Sequence, residues 1–480
     1  MIRFTRRGFA RGLAALSVTG PAAGGRAHAA GSSRPQAPTF PSDFLWGCAT
    51  SAYQIEGGAN DEGRGPSIWD TFSHTAGKTH AGDTGDVADD SYHRYRDDVA
   101  LLKSLGAKAY RFSLSWSRVI PDGRGKTNPA GIAYYDRLVD ELLQQGITPW
   151  PTLFHWDLPQ ALTGGWQARD TAYAFAEYAG FISRHLADRV SQFMTTNEFV
   201  CFTDLSYQVG QFAPGLKLGE AQVSQIRHHG ILAHGLAVQS IRANARAGVR
   251  VGLADNPTNY IPVIEEAKHI EAARRAQREE NAPFFTAVME GRYTDRYLAR
   301  LGPDAPKVKN GDMAIIASPL DFVGLNVYQP EYVTAADNAD GYAILKKPAS
   351  FPRTPSPWLF LGPEVIYWAV RHTADLWHPK AIYITENGCS ASDERGADGR
   401  VDDTDRVMFL RNYLTQLQRA ANEGFPVKGY FLWSLLDNFE WADGFERRFG
   451  IYHVDFATQA RTPKLSAEWY RTVIARNAVV

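Results

Sequence analysis

"AIYITENG", residues 381–388, opens as a buried strand and closes on a charge. Ala381, Ile382, Tyr383 and Ile384 make a short β-branched and aromatic run, suited to a strand covered on both faces. Thr385, Glu386, Asn387 and Gly388 follow at once. A carboxylate at the end of a core strand is costly unless something pairs with it. The stretch therefore predicts both a parallel strand and a partner for Glu386.

Seven further apolar runs have the same character. They are "FLWGCAT" (44–50), "AYRFSLS" (109–115), "TPWPTLF" (148–154), "QFMTTNE" (192–198), "RVGLADN" (250–256), "DFVGLNVY" (321–328) and "VKGYFLWS" (427–434). Helix-period segments lie between them. One is "GIAYYDRLVDELLQQG" (131–146), where Leu138, Leu142 and Leu143 are expected on one face and Gly146 as the stop. Near-continuous apolar strands alternating with helices indicate a parallel sheet covered on both sides. Eight units suggest a (β/α)₈ barrel, a TIM barrel, although the pattern also fits an open doubly wound sheet. Polar and aromatic residues favour the barrel: Gln54, Arg111, His155, Trp156, Asn197, Glu198, Asn326, Tyr328, Glu386 and Trp433 all follow the apolar runs. In a barrel those strand ends face one rim, where active sites lie. With 480 residues, against about 250 for a typical barrel, the excess is expected in long βα loops.

The chain is 44% hydrophobic and 21% charged, enough for a large core, and no stretch is long and apolar enough to span a bilayer. The first residues do not read as fold. "TRRGFARGLAALSVTG" sets Arg6 and Arg7 ahead of Phe9 and a modest apolar segment, and "AHAA" (27–30) offers a small-residue cleavage site after Ala29. Residues 1–29 thus read as a twin-arginine export signal, with a periplasmic or secreted destination. One domain is expected over 30–480. Loss of the five arginines in 1–29 (Arg3, Arg6, Arg7, Arg11, Arg26) moves the formal charge from −1 to −6, which argues against nucleic acid as a partner. Cys48, Cys201 and Cys389 are too far apart in sequence to suggest a disulfide framework or metal spacing, and read as buried thiols.

"QFMTTNEF" ends on Asn197 and Glu198 much as "AIYITENG" ends on Glu386 and Asn387. Two carboxyls from different strands at one rim suit glycoside hydrolysis, in which one donates a proton and the other attacks or activates water. Unlike environments can split their pKa values so that both states coexist. The plainer reading pairs each glutamate with an arginine of the barrel.

At these residues the chain resembles family 1 of the glycoside hydrolases, in its β-glucosidase branch. The resemblance runs from about 40 to 471 through "FPSDFLWGCATSAYQIEG" (40–57), "YRFSLSWSR" (110–118), "TLFHWDLPQAL" (152–162), "TTNEF" (195–199), "GLNVY" (324–328), "YITENG" (383–388), "DNFEWADGFERRFGIYHVDF" (437–456) and "RTPKLSAEWY" (461–470). It implies Glu198 as general acid/base and Glu386 as the nucleophile of a covalent glycosyl-enzyme. Asn197 would meet the sugar 2-hydroxyl, and Arg111 and Tyr328, with Asn326 beside them, would orient Glu386. Gln54, His155, Glu440 and Trp441 would bind the other hydroxyls, with Glu440 ionised; Trp433 would stack under the ring, with Trp156 adjoining. Trp358 would form a platform beneath the leaving group. It also implies a non-proline cis peptide at Trp433–Ser434. The substrate would be a small β-glucoside or short oligosaccharide, with no cofactor. A transglycosylase or a broader β-glycosidase would use the same two glutamates.

One position departs from the family. Proline usually follows the acid/base, and here Phe199 stands there. Proline would fix the backbone; phenylalanine leaves it freer or fills a different neighbour. "HWD" (155–157) has no second histidine at a supporting interval, and His228 and His229 read as a packing or surface pair, so no metal site is expected. The run "EEAKHIEAARRAQREEN" (265–281) reads as a solvated helix. A catalytically silent sugar-binding barrel would be expected to lack both glutamates, and both are present. Nothing in the sequence sets the oligomeric state.

Overall fold

The eight apolar runs become the eight strands of one closed parallel barrel in the computed structural model, which describes residues 39–480. The strands are β1 Leu45–Ala49, β2 Ala109–Ser113, β3 Thr148–Phe154, β4 Gln192–Asn197, β5 Arg250–Asp255, β6 Val323–Asn326, β7 Ile382–Asn387 and β8 Val427–Trp433. Each pairs with its neighbour in sequence, and β1 closes the ring against β8 from Leu45↔Gly429 to Ala49↔Trp433. All residues of β2, β4, β6 and β7 are buried, as expected of strands covered by side chains inside and helices outside. The open-sheet alternative is thereby excluded.

Helices such as Pro129–Gln144, Asp170–Leu186, Glu220–Asn244 and Thr404–Asn422 cover the barrel. Asn128 caps the first of these through the Ala130 amide, with Pro129 following in the first turn, where its missing N–H costs nothing. Its buried face is Tyr134, Tyr135, Leu138, Val139 and Leu142. Leu143 does not share it: it is 40% exposed, since five residues from Leu138 turn the side chain about 140° away.

The extra length sits in βα loops, as expected. After β5 and β6 they build a three-stranded sheet from Asn259–Pro262, Pro330–Ala335 and Tyr342–Ile344. Helix Ala267–Glu280 packs on this sheet through Ala272, Ala273 and Ala276, together with Tyr260, Val333 and Tyr342. The charged run is therefore solvated on one face only; alanines too small to register as a hydrophobic stripe bury the other. After β8, Tyr452–Asp455 pairs with Ala460–Pro463. A fully buried cluster pins these loops: Lys464 Nζ bonds Asp393 at 2.7 Å and Asp437 at 2.6 Å, and Arg406 bonds Asp393 and Asp403. His228 and His229 are packing residues, bonded to Asp312 and Tyr293 and to the Trp166 carbonyl.

Candidate active site

The ends of β3 to β8 open onto a pocket of about 440 Å³, and Arg111 of β2 and Gln54 after β1 bond residues of its wall. Glu386, at the end of β7, has the partner its burial demands. Arg111, wholly buried on β2, bonds one carboxylate oxygen of Glu386 through Nη1, and the Tyr328 hydroxyl donates to the other at 2.8 Å. The second terminal nitrogen of Arg111 donates to Asn197 Oδ1 at 2.6 Å, and its Nε to Thr152 at 3.2 Å. One guanidinium thus ties β2, β3, β4 and β7 together, a task for a planar, multidentate cation.

Glu198 has a different environment. Asn326 Nδ2 donates to its Oε1 at 2.7 Å and the Cys201 thiol to its Oε2 at 3.0 Å. No cation bonds it. Burial, then the charge of Glu386, pushes its carboxyl up to about 8. Burial also raises Glu386, but Arg111 and Tyr328 oppose the rise. Glu386 therefore ionises first and Glu198 keeps its proton, the division of states that unlike environments produce. Asn326 stands between them. Its Nδ2 also bonds Asn197 Oδ1 at 3.0 Å, and Thr385 fixes its carbonyl at 2.7 Å.

His155 accepts from Asn197 Nδ2 through Nε2 at 3.1 Å. Burial and Arg111 push its pKa well below the ordinary range, so the ring is neutral and carries its proton on Nδ1, which has no hydrogen-bond partner among the described residues. His155 itself lines the pocket. Trp156 spends its indole N–H on the Asn197 carbonyl at 2.9 Å, leaving its ring to line the pocket. Gln54 sits on a single helical turn, Ala52–Ile55, just past β1; its Nε2 holds Asn438 and the Phe439 carbonyl at 3.0 Å and reaches Glu440 at 3.4 Å. Trp433 ends β8, and the peptide to Ser434 is cis.

Glu440 and Trp441 complete one end of the pocket. Burial, with Asp443, Glu386 and Glu198 nearby, pushes Glu440 well above the usual carboxylate range. This pull runs against the ionised group expected from the sequence, because the pocket is poorly solvated and rich in acids. At the mouth, Trp358 is 42% exposed, stands edge-on to Tyr328 and lies parallel to Phe449. All the anticipated residues meet at this rim.

Sequence reasoning missed part of the wall. Val200, Leu205 and Phe212 form an apolar side, and Asn256, Asn259, Gln329 and Glu331 a polar one. Cys201 is a buried thiol as expected, but its contact with Glu198 was not foreseen. Asn256 and Gln329 lie just past β5 and β6, a strand-end signal that could have flagged them.

A barrel rim carrying two carboxyls in opposed electrostatic settings, walled by indoles and amides, defines a glycoside hydrolase. The chain belongs to glycosyl hydrolase family 1, whose model matches residues 36–479. Beta-glucosidase A of Thermotoga maritima is 40% identical over 92% of this chain and 98% of its own length. A bifunctional beta-D-glucosidase/beta-D-fucosidase of Bifidobacterium breve is 42% identical over 91% and 98%. The solved beta-glucosidase from Thermotoga maritima in complex with castanospermine superposes with a TM-score of 0.85, at 40% identity, over 92% of this chain and 100% of that one.

Proposed function

We propose that the chain is a retaining β-glucosidase that releases the non-reducing terminal glucosyl residue of unphosphorylated O-β-glucosides, whether simple glucosides or short oligosaccharides. The carrying observation is the asymmetry of the two glutamates: Arg111 and Tyr328 bond Glu386, whereas a neutral amide and a thiol bond Glu198. Ionised Glu386 attacks the anomeric carbon while Glu198 passes its proton to the departing oxygen. Glu198, now a base, takes a proton from water, whose oxygen displaces Glu386.

Asn197 meets the 2-hydroxyl with its remaining Nδ2 hydrogen, held in place by Arg111, Asn326 and His155. His155, Gln54, Glu440 and Trp441 take the other hydroxyls, Trp433 underlies the ring, and Trp358 receives the leaving group. β-D-fucosides are a second substrate class, supported by the Bifidobacterium breve relative. NMR of the first-formed sugar tests the reading: the β-anomer is expected, and the α-anomer would overturn the covalent route.

We also propose that residues 1–29, which lie outside the described residues, are a twin-arginine export signal, so that the mature enzyme works in the periplasm or outside the cell. Support comes from the sequence: Arg6 and Arg7 before Phe9, a modest apolar segment, and small residues around Ala29.

A further inference from the structure

We propose that Asp255, at the end of β5, is a positioning residue that sets the Glu198 carboxyl through the backbone amide of Phe199. The inference rests on Glu198 being the acid/base. Glu198 sits where β4 gives way to a helical turn that begins at residue 199, and its φ is +51°, a left-handed conformation uncommon for a side chain of this size. Such a residue holds its place only when its flanks are fixed. On the upstream side the Glu198 amide donates to the Ala254 carbonyl at 3.0 Å. On the downstream side the Phe199 amide donates to Asp255 Oδ1 at 3.0 Å.

The first amides of a helix have no acceptor within the helix. Asp255 supplies one from another strand, and it can because residue 199 is not proline and has an N–H to give. The Phe199 ring adds a second hold, lying parallel to Phe284 at 5.7 Å. The next residue of β5's end acts the same way at one remove: Asn256 Nδ2 lies 3.9 Å from the Cys201 sulfur, whose thiol bonds Glu198. Adjacent residues 255 and 256 thus grip both sides of the acid/base. Asp255 is 3% exposed and, among the described residues, bonds no cation. Its place is explained by the amide it accepts.

A group that places the proton donor matters in proportion to the acid help the leaving group needs. Asp255→Ala should lower kcat/KM on an alkyl β-glucoside by roughly 10-fold or more, since small displacements are costly at the reacting centre, and leave 2,4-dinitrophenyl β-glucoside within about 3-fold. Asp255→Asn keeps a carbonyl for the Phe199 amide and should recover most of the loss. Equal losses on both substrates, no loss on either, or failure of the asparagine to recover activity would each overturn the proposal. Hydrogen exchange in the wild type needs no variant: the Phe199 amide should exchange slowly, and exchange at the rate of an open amide would also overturn it. Glu198→Ala run alongside separates the two readings. If that variant loses both substrates equally, the acid/base assignment fails; if it spares the activated substrate and Asp255→Ala does not, only the Asp255 proposal fails.

Discussion

Arg111 reaches across the barrel from β2 to the carboxylate of Glu386 on β7, and the same guanidinium fixes Asn197 beside Glu198. It is the cation that makes the two glutamates unequal. Removing it as Arg111→Met takes away the charge that holds Glu386 down, so the Glu386 pKa rises further. Catalysis needs Glu386 ionised, so the acid limb of kcat/KM should move to higher pH. A buried charge stripped of its partner should also cost about 3–5 kcal/mol of stability. An acid limb that stays put or moves to lower pH would contradict the assignment.

Glu386→Ala should abolish turnover of every glucoside. Glu198→Ala should retain much of its rate on dinitrophenyl glucosides, where the leaving group needs no proton, and lose most on alkyl glucosides. Azide should restore the activated reaction and yield a β-glucosyl azide. In the wild type the rate should fall as pH rises past about 8, as Glu198 gives up the proton it must donate. A basic limb unaffected by these changes would mean another group is the acid.

The buried acids of the rim bear on stability as well as catalysis. Burial pushes Asp157 up to about 8 and Asp255 up to about 7, far above an unfolded aspartate. A group whose folded pKa is raised keeps its proton in the native state while the unfolded chain loses one, so stability falls as pH rises between roughly 4 and 8. Asp157→Asn should remove part of that slope. Its thermal stability should exceed that of the wild type by a margin that widens from pH 5 to pH 8, at up to about 1.4 kcal/mol per pH unit. Parallel curves across that range would refute the claim.

The pocket should reject 6-phospho-β-glucosides. Glu440, Asp443, Glu198 and Glu386 crowd one region; a 6-phosphate carrying nearly two negative charges would be repelled by those that ionise and would push the pKa values of the rest, including the Glu386 that must ionise, further up. Glu440→Ser should lower kcat/KM on the plain glucoside by roughly 10²-fold. A wild type that prefers the 6-phosphate, or a serine variant that matches it on glucoside, would move the glycone site elsewhere.

Arg6→Lys with Arg7→Lys should leave the precursor in the cytoplasm at full length, as fractionation and N-terminal mass would report. Unimpeded export would dispose of the signal.

All eight barrel strands were legible because each is buried on both faces and so carries a nearly unbroken apolar run. The rim residues were legible because strand ends deliver them in fixed sequence positions. Closure was not in the run pattern itself, which an open sheet shares; it was argued from where the polar residues fall. The strands Pro330–Ala335 and Tyr342–Ile344 escaped notice because their burial is patchy, with Thr334 and Ala335 only half-buried and Ile344 exposed. Asp255 escaped for another reason. It looked like the polar end of "RVGLADN", and its meaning lies in an amide 56 residues away along the chain. Glu440 lines the pocket, but the upward pull on its pKa was not legible, because it comes from neighbours that only the fold assembles.

The seam between β1 and β8 joins residues 45–49 to residues 429–433. During synthesis the first strand waits, unpaired on one side, until nearly the whole chain has been made. Trp433, Glu440 and Trp441 arrive in that same last stretch, so no shorter product contains a finished pocket. Contacts this distant in sequence are slow to form, and open sheet edges invite association in the meantime. The protein therefore passes through an exposed and inactive phase as long as its own translation, and chaperone dependence during synthesis is where that topology should first be felt.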